Sequence, residues 1–171
     1  LGLYLIKTEM EDLALKFLEY DTYKYIAHAL NAKKTEREQY IARFIAPIEE
    51  KLKKEGFTFT IKGRPKSIHS IYHKMQAQRC DIDRIYDLFA IRIIIDTPLE
   101  REKSDCWQVY SLITDVFTPN PKRLRDWLSA PKENGYESLH TTVLGPDDRW
   151  VEVQIRTRRM DEVAEQGVAA H

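Results

Sequence analysis

Apolar residues recur three or four positions apart through the first third of the chain, over residues 10–30 and then over residues 40–52. This spacing puts the apolar side chains on one face of a helix. Gly56 should end the second helical stretch. We therefore expect residues 1–40 to be a helical lead-in that connects to a missing upstream domain, with the main domain over residues 41–171.

Beyond residue 56 the pattern predicts a mixture of strands and helices. Residues 57–62 alternate apolar and polar side chains, which predicts a strand that Gly63 should end. Residues 88–95 are apolar on both faces apart from Arg92, which is typical of a central strand. Helices are predicted over residues 66–78, after a cap at Ser104, and from about Met160 onwards. Strands are predicted near residues 140–144 and 150–156, and a turn at residues 145–148 should join them. The sum is an α+β fold, a mixed β-sheet of about five strands flanked by helices.

Composition narrows the class of protein. Lys+Arg and Asp+Glu both number 27 in 171 residues, so the formal net charge is zero. A general polyanion binder draws most of its affinity from a basic excess, so any phosphate site here must be local. Cys80 and Cys106 are too few for a disulfide scaffold and lack metal-ligand spacing. The longest apolar run is too short to span a bilayer and no signal pattern opens the chain, so we expect a cytoplasmic protein without membrane contact.

A basic segment after the first predicted strand is a candidate phosphate site. Lys66, Ser70 and Lys74 lie four positions apart, so they would share one face of the predicted helix. Arg64 lies just before the start of that helix. A helix N-terminus carries unsatisfied N–H groups and a partial positive charge, which suit an anion. The alternative is an ordinary solvated basic face.

Two acidic residues are candidates for a metal site. Asp87 comes directly before the apolar run, where a charge without a partner is costly. Glu152, Gln154 and Arg156 alternate with apolar residues, so they point to one face of their strand. An acid on each of two neighbouring strands can hold Mg²⁺ facing bound phosphates. The alternatives are that Asp87 caps an element and that Glu152 is an exposed partner of Arg156.

The segment 132–140 combines the groups that a phosphorylated purine needs: a cation, an amide, a glycine, an aromatic ring and an imidazole. Tyr136 is either a platform for a base or a core side chain, and stacking of this kind contributes about 1–3 kcal/mol. His140 could donate to a phosphate or be an ordinary histidine of a sheet. The basic loop at 122–125 is either solvated or a second phosphate clamp.

Together these segments resemble the synthetase domain of the RelA/SpoT family, whose long enzymes make the alarmone (p)ppGpp. The resemblance covers most of the chain, from residues 10–13 to residues 163–171. The motifs that carry it include Gly63-Arg64-Pro65-Lys66, Tyr86-Asp87-Leu88, Ala130-Pro131-Lys132, Asn134-Gly135-Tyr136, Ser138-Leu139-His140 and Glu152-Val153-Gln154-Ile155-Arg156.

The resemblance implies an activity and a set of residue roles. The activity is transfer of pyrophosphate from ATP to the 3′-hydroxyl of GDP or GTP in the stringent response. The implied fold is similar to polymerase-beta-like nucleotidyltransferases, and the implied cofactor is Mg²⁺, or Mn²⁺ in its place. The implied catalytic residues are Asp87, Glu152 and Gln154, of which Asp87 and Glu152 would hold the metal. The implied ATP-binding residues are Arg64, Lys66, Ser70, Lys74 and Arg92. The implied GDP- or GTP-binding residues are Arg125, Lys132, Asn134, Tyr136, His140 and Ala164.

The loop Arg123-Leu124-Arg125-Asp126 departs from the Arg-x-Lys-Asp pattern that is usual in bifunctional members of the family. It keeps the positive charge, so we expect a bifunctional parent protein. Expected partners besides the substrates are regulatory domains of that parent, and a ribosome or tRNA contacted through absent regions. The alternative to an enzyme is a module that binds guanine nucleotide, alarmone or RNA without catalysis. The two acids favour catalysis, because pure binding gains nothing from acids beside phosphates.

Overall fold

Six α-helices and six strands make up the computed structural model, which describes residues 3–85 and 87–166. Tyr86 and residues 167–171, which belong to motifs of the resemblance, lie outside the described residues. The helices are α1 (Leu3–Leu18), α2 (Tyr20–Ala32), α3 (Lys34–Lys54), α4 (Ile68–Gln78), α5 (Glu102–Val116) and α6 (Arg158–Gln166). The strands are β1 (Thr58–Pro65), β2 (Phe89–Asp96), β3 (Thr118–Pro119), β4 (Arg125–Asp126), β5 (Leu139–Leu144) and β6 (Trp150–Thr157). Within these described ranges, no helix has the length and apolar character that crossing a membrane requires.

The strands form one mixed sheet in the order β1-β2-β6-β5-β3, and β4 pairs with β5 outside this path. β2 and β6 run parallel, whereas the other pairs are antiparallel. The first seven residues of β2 are all buried, as expected of a central strand that is covered on both faces. In β6 the apolar Val151, Val153 and Ile155 are buried as well. The predicted α+β fold with a mixed sheet is confirmed, with six strands where about five were expected.

β1 continues through Gly63 to Pro65, so the prediction that Gly63 ends the strand is wrong. Gly63 pairs with Ile91 of β2, and a Cβ added to it would lie 2.8 Å from Cδ1 of Ile41 in α3. The glycine is therefore a point of close approach between a helix and a strand rather than a turn.

The start of α4 also differs from the prediction. Ser67 caps this helix, and its Oγ accepts a hydrogen bond from the N–H of Ser70 at 3.1 Å. Lys66 consequently precedes the helix and does not share a helical face with Ser70 and Lys74. Its side chain reaches the site from the end of β1 instead.

The predicted Ser104 cap of α5 is wrong. The helix begins at Glu102, and Ser104 lies within its first turn, where its Oγ donates to the carbonyl oxygen of Arg101. The final helix begins at Arg158, two residues before the predicted start at Met160. The turn predicted between the last two long strands joins β5 to β6 as expected.

The predicted lead-in packs on the same core as the sheet. Ile26 of α2 is fully buried in the hydrophobic core, and Asp12 of α1 accepts a hydrogen bond from the N–H of His69 in α4 at 2.9 Å. α3 runs without a break through residues 40 and 41, where the domain boundary was expected. The division into a lead-in and a main domain stays a prediction.

Candidate active site

Asp87 and Glu152, which we call the acid pair, both contact the side chain of Lys66 near the two central strands of the sheet. Asp87 precedes β2, and Glu152 stands opposite Ala90 of β2 in the parallel strand β6. Lys66 Nζ donates to Asp87 Oδ2 at 2.9 Å and to Glu152 Oε2 at 3.2 Å. One cation therefore contacts both carboxylates, so the structure brings the two predicted metal ligands within reach of a single ion.

Neighbouring side chains keep the acid pair ionised. Burial would raise the pKa of Asp87, but hydrogen bonds from Lys74 and Lys66 hold that pKa below its usual value. Burial would also raise the pKa of Glu152, but the charge of Lys66 and a hydrogen bond from Gln154 lower it. Burial acts the opposite way on Lys66, where the charge of Glu152 and the bond to Asp87 nevertheless raise the pKa. Both acids and this lysine are therefore charged at neutral pH.

A cavity of about 780 Å³ opens beside the acid pair. Four of the five residues predicted to bind ATP line it, namely Arg64, Lys66, Ser70 and Lys74. Glu152 and Gln154 form part of the same wall, and α1 contributes Thr8 and Asp12 to it. The wall of the cavity thus carries three basic side chains, Arg64, Lys66 and Lys74, together with the carboxylate of Glu152.

The N-terminus of α4 bonds to groups of the protein. The N–H of Ser70 donates to Ser67, and the N–H of His69 donates to the carboxylate of Asp12. The His69 ring also lies close to an acid, with Nδ1 3.1 Å from Glu11 Oε2. The cations that face the cavity are therefore side chains, whereas these two N–H groups of the helix already have partners.

Arg92, the fifth residue predicted to bind ATP, is not one of the residues that line the cavity. It is 9% exposed. Its guanidinium donates to Gln154 Oε1 at 3.4 Å, Asp161 Oδ1 at 3.2 Å and Glu165 Oε1 at 2.7 Å. Arg64 lies 3.5 Å from the same oxygen of Glu165. The two arginines thus tie α6 to the sheet beside the cavity.

Tyr136 and His140 form a second cluster on the same face of the sheet. His140 pairs with Gln154 across β5 and β6, so it lies on the face that carries Glu152. Tyr136 Oη accepts a hydrogen bond from Arg156 Nη2 at 2.8 Å and lies 2.8 Å from His140 Nε2. The tyrosine and histidine rings are nearly perpendicular, with their centroids 5.8 Å apart.

His140 is neutral in this cluster. Burial lowers its pKa to about 4 and outweighs the opposing charge of Glu152. The Tyr136 hydroxyl accepts from Arg156 and also forms a hydrogen bond with His140 Nε2. One ring nitrogen of the neutral histidine carries a proton and the other can accept a hydrogen bond.

Arg156 is a site residue that the sequence analysis considered only as a partner of Glu152. It is 1% exposed, and it donates to Gln154 Oε1 at 3.1 Å as well as to Tyr136. The alternative of an exposed Glu152–Arg156 pair is wrong, since the ionic partner of Glu152 is Lys66. Alternation along β6 had placed Arg156 on the face of the acid, but it could not reveal that the guanidinium is buried.

Lys132 and Asn134 both contact Tyr136. Lys132 Nζ lies 5.2 Å from the centroid of the tyrosine ring. Asn134 Oδ1 accepts a hydrogen bond from the N–H of Tyr136 at 3.2 Å. Gly135, which lies between Asn134 and Tyr136, has φ +80°, a left-handed conformation that glycine adopts without strain. The segment is therefore a turn that presents the ring.

Arg125 and Ala164 are the two remaining residues predicted to bind the acceptor nucleotide. Arg125 of β4 is exposed and donates to carbonyl groups of its own loop. Ala164 is buried on α6. Arg123 from the same basic loop lines a second cavity of about 340 Å³, which shares Lys74 and Glu152 with the first cavity.

Residues 63–171 match a family model described as the region found in RelA/SpoT proteins. The chain belongs to this family. The resemblance inferred from the motifs is thereby confirmed. The acid pair, the cavity lysines and the Tyr136 cluster all lie inside the matched residues.

Relatives of this RelA/SpoT chain carry two kinds of name. It is 39% identical over 171 residues to the GTP pyrophosphokinase of Photobacterium angustum. It is 42% identical over 172 residues to the probable guanosine-3′,5′-bis(diphosphate) 3′-pyrophosphohydrolase of Synechocystis. Each match includes 100% of this chain but only 22% of the length of the relative. The chain therefore corresponds to about a fifth of these longer proteins.

Two solved structures share the fold of the RelA/SpoT chain. Small alarmone synthetase 1 of Bacillus subtilis, bound to its product pppGpp, has a TM-score of 0.57 at 24% identity, over 82% of this chain and 78% of that one. Small alarmone synthetase 2 of the same organism has a TM-score of 0.53 at 26% identity, over 85% and 75% of the two chains. The nucleotidyltransferase-like fold expected from the resemblance is therefore confirmed.

The donor set of the RelA/SpoT chain suits a divalent cation with phosphate ligands. In the part of the chain that the structure describes, no group of three or more His, Cys, Asp or Glu side chains could hold a metal. The acid pair nevertheless converges on one point, through Asp87 Oδ2 and Glu152 Oε2. Mg²⁺ is usually bound by one or two carboxylates, with waters and substrate phosphates as the other ligands. Two acids beside a basic cavity fit that pattern.

Proposed function

We propose that this chain transfers pyrophosphate from ATP to the 3′-hydroxyl of GDP or GTP, with Mg²⁺ as cofactor, and so makes (p)ppGpp. The observation that carries the proposal is the position of the acid pair, which meets at Lys66 Nζ between a basic cavity and the Tyr136 cluster. The membership in the RelA/SpoT family supports the reaction class. Regulatory domains of a longer parent chain are the proposed partners.

The basic cavity is the proposed ATP site. Its volume of about 780 Å³ is within the roughly 300–1,000 Å³ usual for small-molecule pockets. Arg64, Lys66 and Lys74 supply three cations for the triphosphate, and Ser70 supplies a hydroxyl donor. Since both lysines also contact the acid pair, phosphates bound there would lie next to the proposed metal ligands.

The Tyr136 cluster is the proposed acceptor site. The tyrosine ring offers a surface for guanine, and such stacking contributes about 1–3 kcal/mol. Lys132 and His140 are the proposed contacts of the phosphates of the acceptor. Gln154 lies between this cluster and the acid pair, and its amide donates to Glu152 Oε1 at 3.0 Å. A ribose held near Gln154 would therefore have its 3′-hydroxyl beside Glu152.

The reaction requires one bond to form at the β-phosphorus of ATP and one to break. The 3′-oxygen of the acceptor attacks that phosphorus, the bond to the oxygen bridging the α- and β-phosphates breaks, and AMP leaves. Glu152 takes the proton of the 3′-hydroxyl, while Lys66 and Lys74 neutralise charge on the transferred phosphates. Mg²⁺ bound by the acid pair would supply additional charge neutralisation. Positioning is the main contribution of the protein, because this transfer needs little covalent help.

The proposal is tested by incubating the purified chain with ATP, GDP and Mg²⁺ and resolving the nucleotides by anion-exchange chromatography. The expected products are AMP and ppGpp in equal amounts, and neither should form when GDP is omitted or when EDTA removes the metal. A chain that binds guanine nucleotide but forms no AMP would contradict the proposal. That outcome would support the alternative, a module that binds the nucleotide without catalysis.

A further inference from the structure

Lys66 occupies the point at which the acid pair converges. Its ammonium lies 2.9 Å from Asp87 Oδ2 and 3.2 Å from Glu152 Oε2, and Lys74 contacts Asp87 Oδ2 as well. All four side chains are partly shielded, with exposed fractions between 24% and 34%. Two positive and two negative charges therefore balance within this cluster.

A divalent ion and the Lys66 ammonium compete for the same point. Asp87 Oδ2 and Glu152 Oε2 both face Lys66 Nζ, so an ion that binds these two oxygens together takes the place of that ammonium. The displaced Lys66 would then be a charge in a partly buried wall, without its carboxylate partners and beside two added positive charges. The free ion and the ammonium therefore exclude each other.

A polyphosphate in the cavity removes this conflict. Lys66, Lys74 and Arg64 all line the cavity, so phosphate oxygens placed there can accept hydrogen bonds from the lysines in place of the carboxylates. The positive charge of the ion then enters together with the negative charge of the phosphates, and the carboxylates become free to bind it. Lys66 has a partner in both arrangements.

We propose that Lys66 is an exchangeable counter-cation, so that the acid pair takes up a divalent ion only when a nucleotide polyphosphate lies in the cavity. Lys66 then makes the metal–nucleotide complex, rather than the free ion, the species that the site accepts. The identity of the nucleotide rests on the proposed function. The exchange itself rests on the contacts of Lys66 with Asp87 and Glu152.

Binding of Mn²⁺ to the nucleotide-free chain, followed by electron paramagnetic resonance, tests the exchange without turnover. Lys66→Met keeps most of the side-chain volume and removes the charge, so it should bind Mn²⁺ at least about tenfold more tightly than wild type, within the roughly 5–150-fold typical of linked sites. Adding Asp87→Asn to Lys66→Met should abolish the gain, which would locate the ion at the acid pair. Lys53→Met, on the exposed surface of α3, is the matched control and should bind as wild type does.

A second arm uses α,β-methylene ATP, which cannot be cleaved at the reacting bond. Its addition to the wild-type chain should produce protein-bound Mn²⁺. The same addition to Asp87→Asn should give only the signal of the ion on the nucleotide analogue. An identical signal in both proteins would contradict the proposal.

Equal Mn²⁺ affinity of nucleotide-free wild type and Lys66→Met would overturn the proposal. Circular dichroism establishes that the variants are folded. If Lys66→Met does not fold, Lys74→Met takes its place: it removes one of two lysines from Asp87 and should give a smaller gain, and no gain would again count against the exchange. Because these titrations contain no acceptor nucleotide, they separate failure of this inference from failure of the proposed transfer.

Discussion

Glu152 depends on its neighbours for the charge that the proposed reaction requires. Lys66 lies 3.2 Å from Oε2, and Gln154 donates to Oε1 at 3.0 Å. These contacts outweigh the effect of burial, so the pKa of Glu152 lies below its usual value and the carboxylate can accept a proton at neutral pH. A substitution that removes the charge and keeps the shape should therefore separate catalysis from binding.

Glu152→Gln should slow pyrophosphate transfer by about 10²–10⁴-fold, the usual contribution of a positioned base. The affinity for GDP should stay near that of wild type, because the proposed acceptor site is the Tyr136 cluster. Initial rates by chromatography and GDP binding by calorimetry measure the two effects. Glu162→Gln, on an exposed part of α6, is the control and should change neither. A large loss of GDP affinity in Glu152→Gln would show that the residue has another role.

His140 should make the stability of the fold dependent on pH. Its pKa is lowered to about 4 in the folded chain, against about 6.5 for an unperturbed histidine. Between these values the unfolded chain binds the proton and the folded chain does not, so stability is present above about pH 6.5 and is lost as the pH falls towards 4. The loss should be at most about 1.4 kcal/mol per pH unit.

Urea unfolding at about pH 7 and about pH 5 measures this dependence. The difference in unfolding free energy between the two conditions should be smaller in His140→Gln than in wild type, since glutamine does not titrate. Carboxylates with lowered pKa values act mainly below this window, because their stabilisation is lost only as the pH falls through their own titration. An equal loss of stability in both proteins would contradict a lowered pKa of His140 in the folded chain.

Serines that look alike in the sequence have different roles at the starts of two helices. Ser67 precedes α4 with extended backbone, and its side chain accepts from the N–H of Ser70. Ser104 lies inside α5, and its hydroxyl donates to a carbonyl oxygen. Only the first geometry satisfies an N–H group that the helix itself leaves unpaired.

Ser67→Ala should lower the free energy of unfolding by about 1 kcal/mol, because the cap of α4 is lost. Ser104→Ala is the matched control and should change it by less than about 0.5 kcal/mol, because Ser104 is exposed and its hydroxyl accepts from no N–H group at the start of α5. Urea denaturation of both variants gives the comparison. If Ser104→Ala costs as much as Ser67→Ala, the assignment of the α4 cap is wrong.

The three N-terminal helices belong to the same packed unit as the sheet. α1 reaches the cavity through Thr8 and Asp12, and α2 inserts Ile26 into the core. The family match begins only at residue 63. The helices before it therefore support the site even though they lie outside the matched region.

Ile26→Ala should destabilise the whole fold by about 2–5 kcal/mol, the usual cost of truncating a fully buried isoleucine. Phe17→Ala provides the control, because Phe17 on α1 is 83% exposed and its loss should cost less than about 0.5 kcal/mol. Thermal or urea unfolding followed by circular dichroism measures both. A separate early transition that only Ile26→Ala affects would show instead that the lead-in folds as an independent domain.

Local patterns were sufficient for the core strands but not for their ends. Alternation correctly placed Val151, Val153 and Ile155 in the core and Glu152 on the opposite face. The pattern failed at Gly63, because the sequence does not distinguish a glycine on which a helix packs closely from a glycine that ends a strand. The distinction depends on α3, which packs on β1 and lies outside the local window.

The residues read along the chain were enough to establish the α+β class, an acid before or on each of two strands, and the resemblance to the RelA/SpoT family. The folded chain was needed to show that Lys66 contacts both Asp87 and Glu152, although Glu152 lies 86 positions after the lysine, and that Arg156 is buried against Tyr136. The physical reason is that periodicity reports the face on which a side chain lies, which is a short-range property. Which side chains meet depends on the strand order β1-β2-β6-β5, and this order brings together segments that are far apart in the sequence.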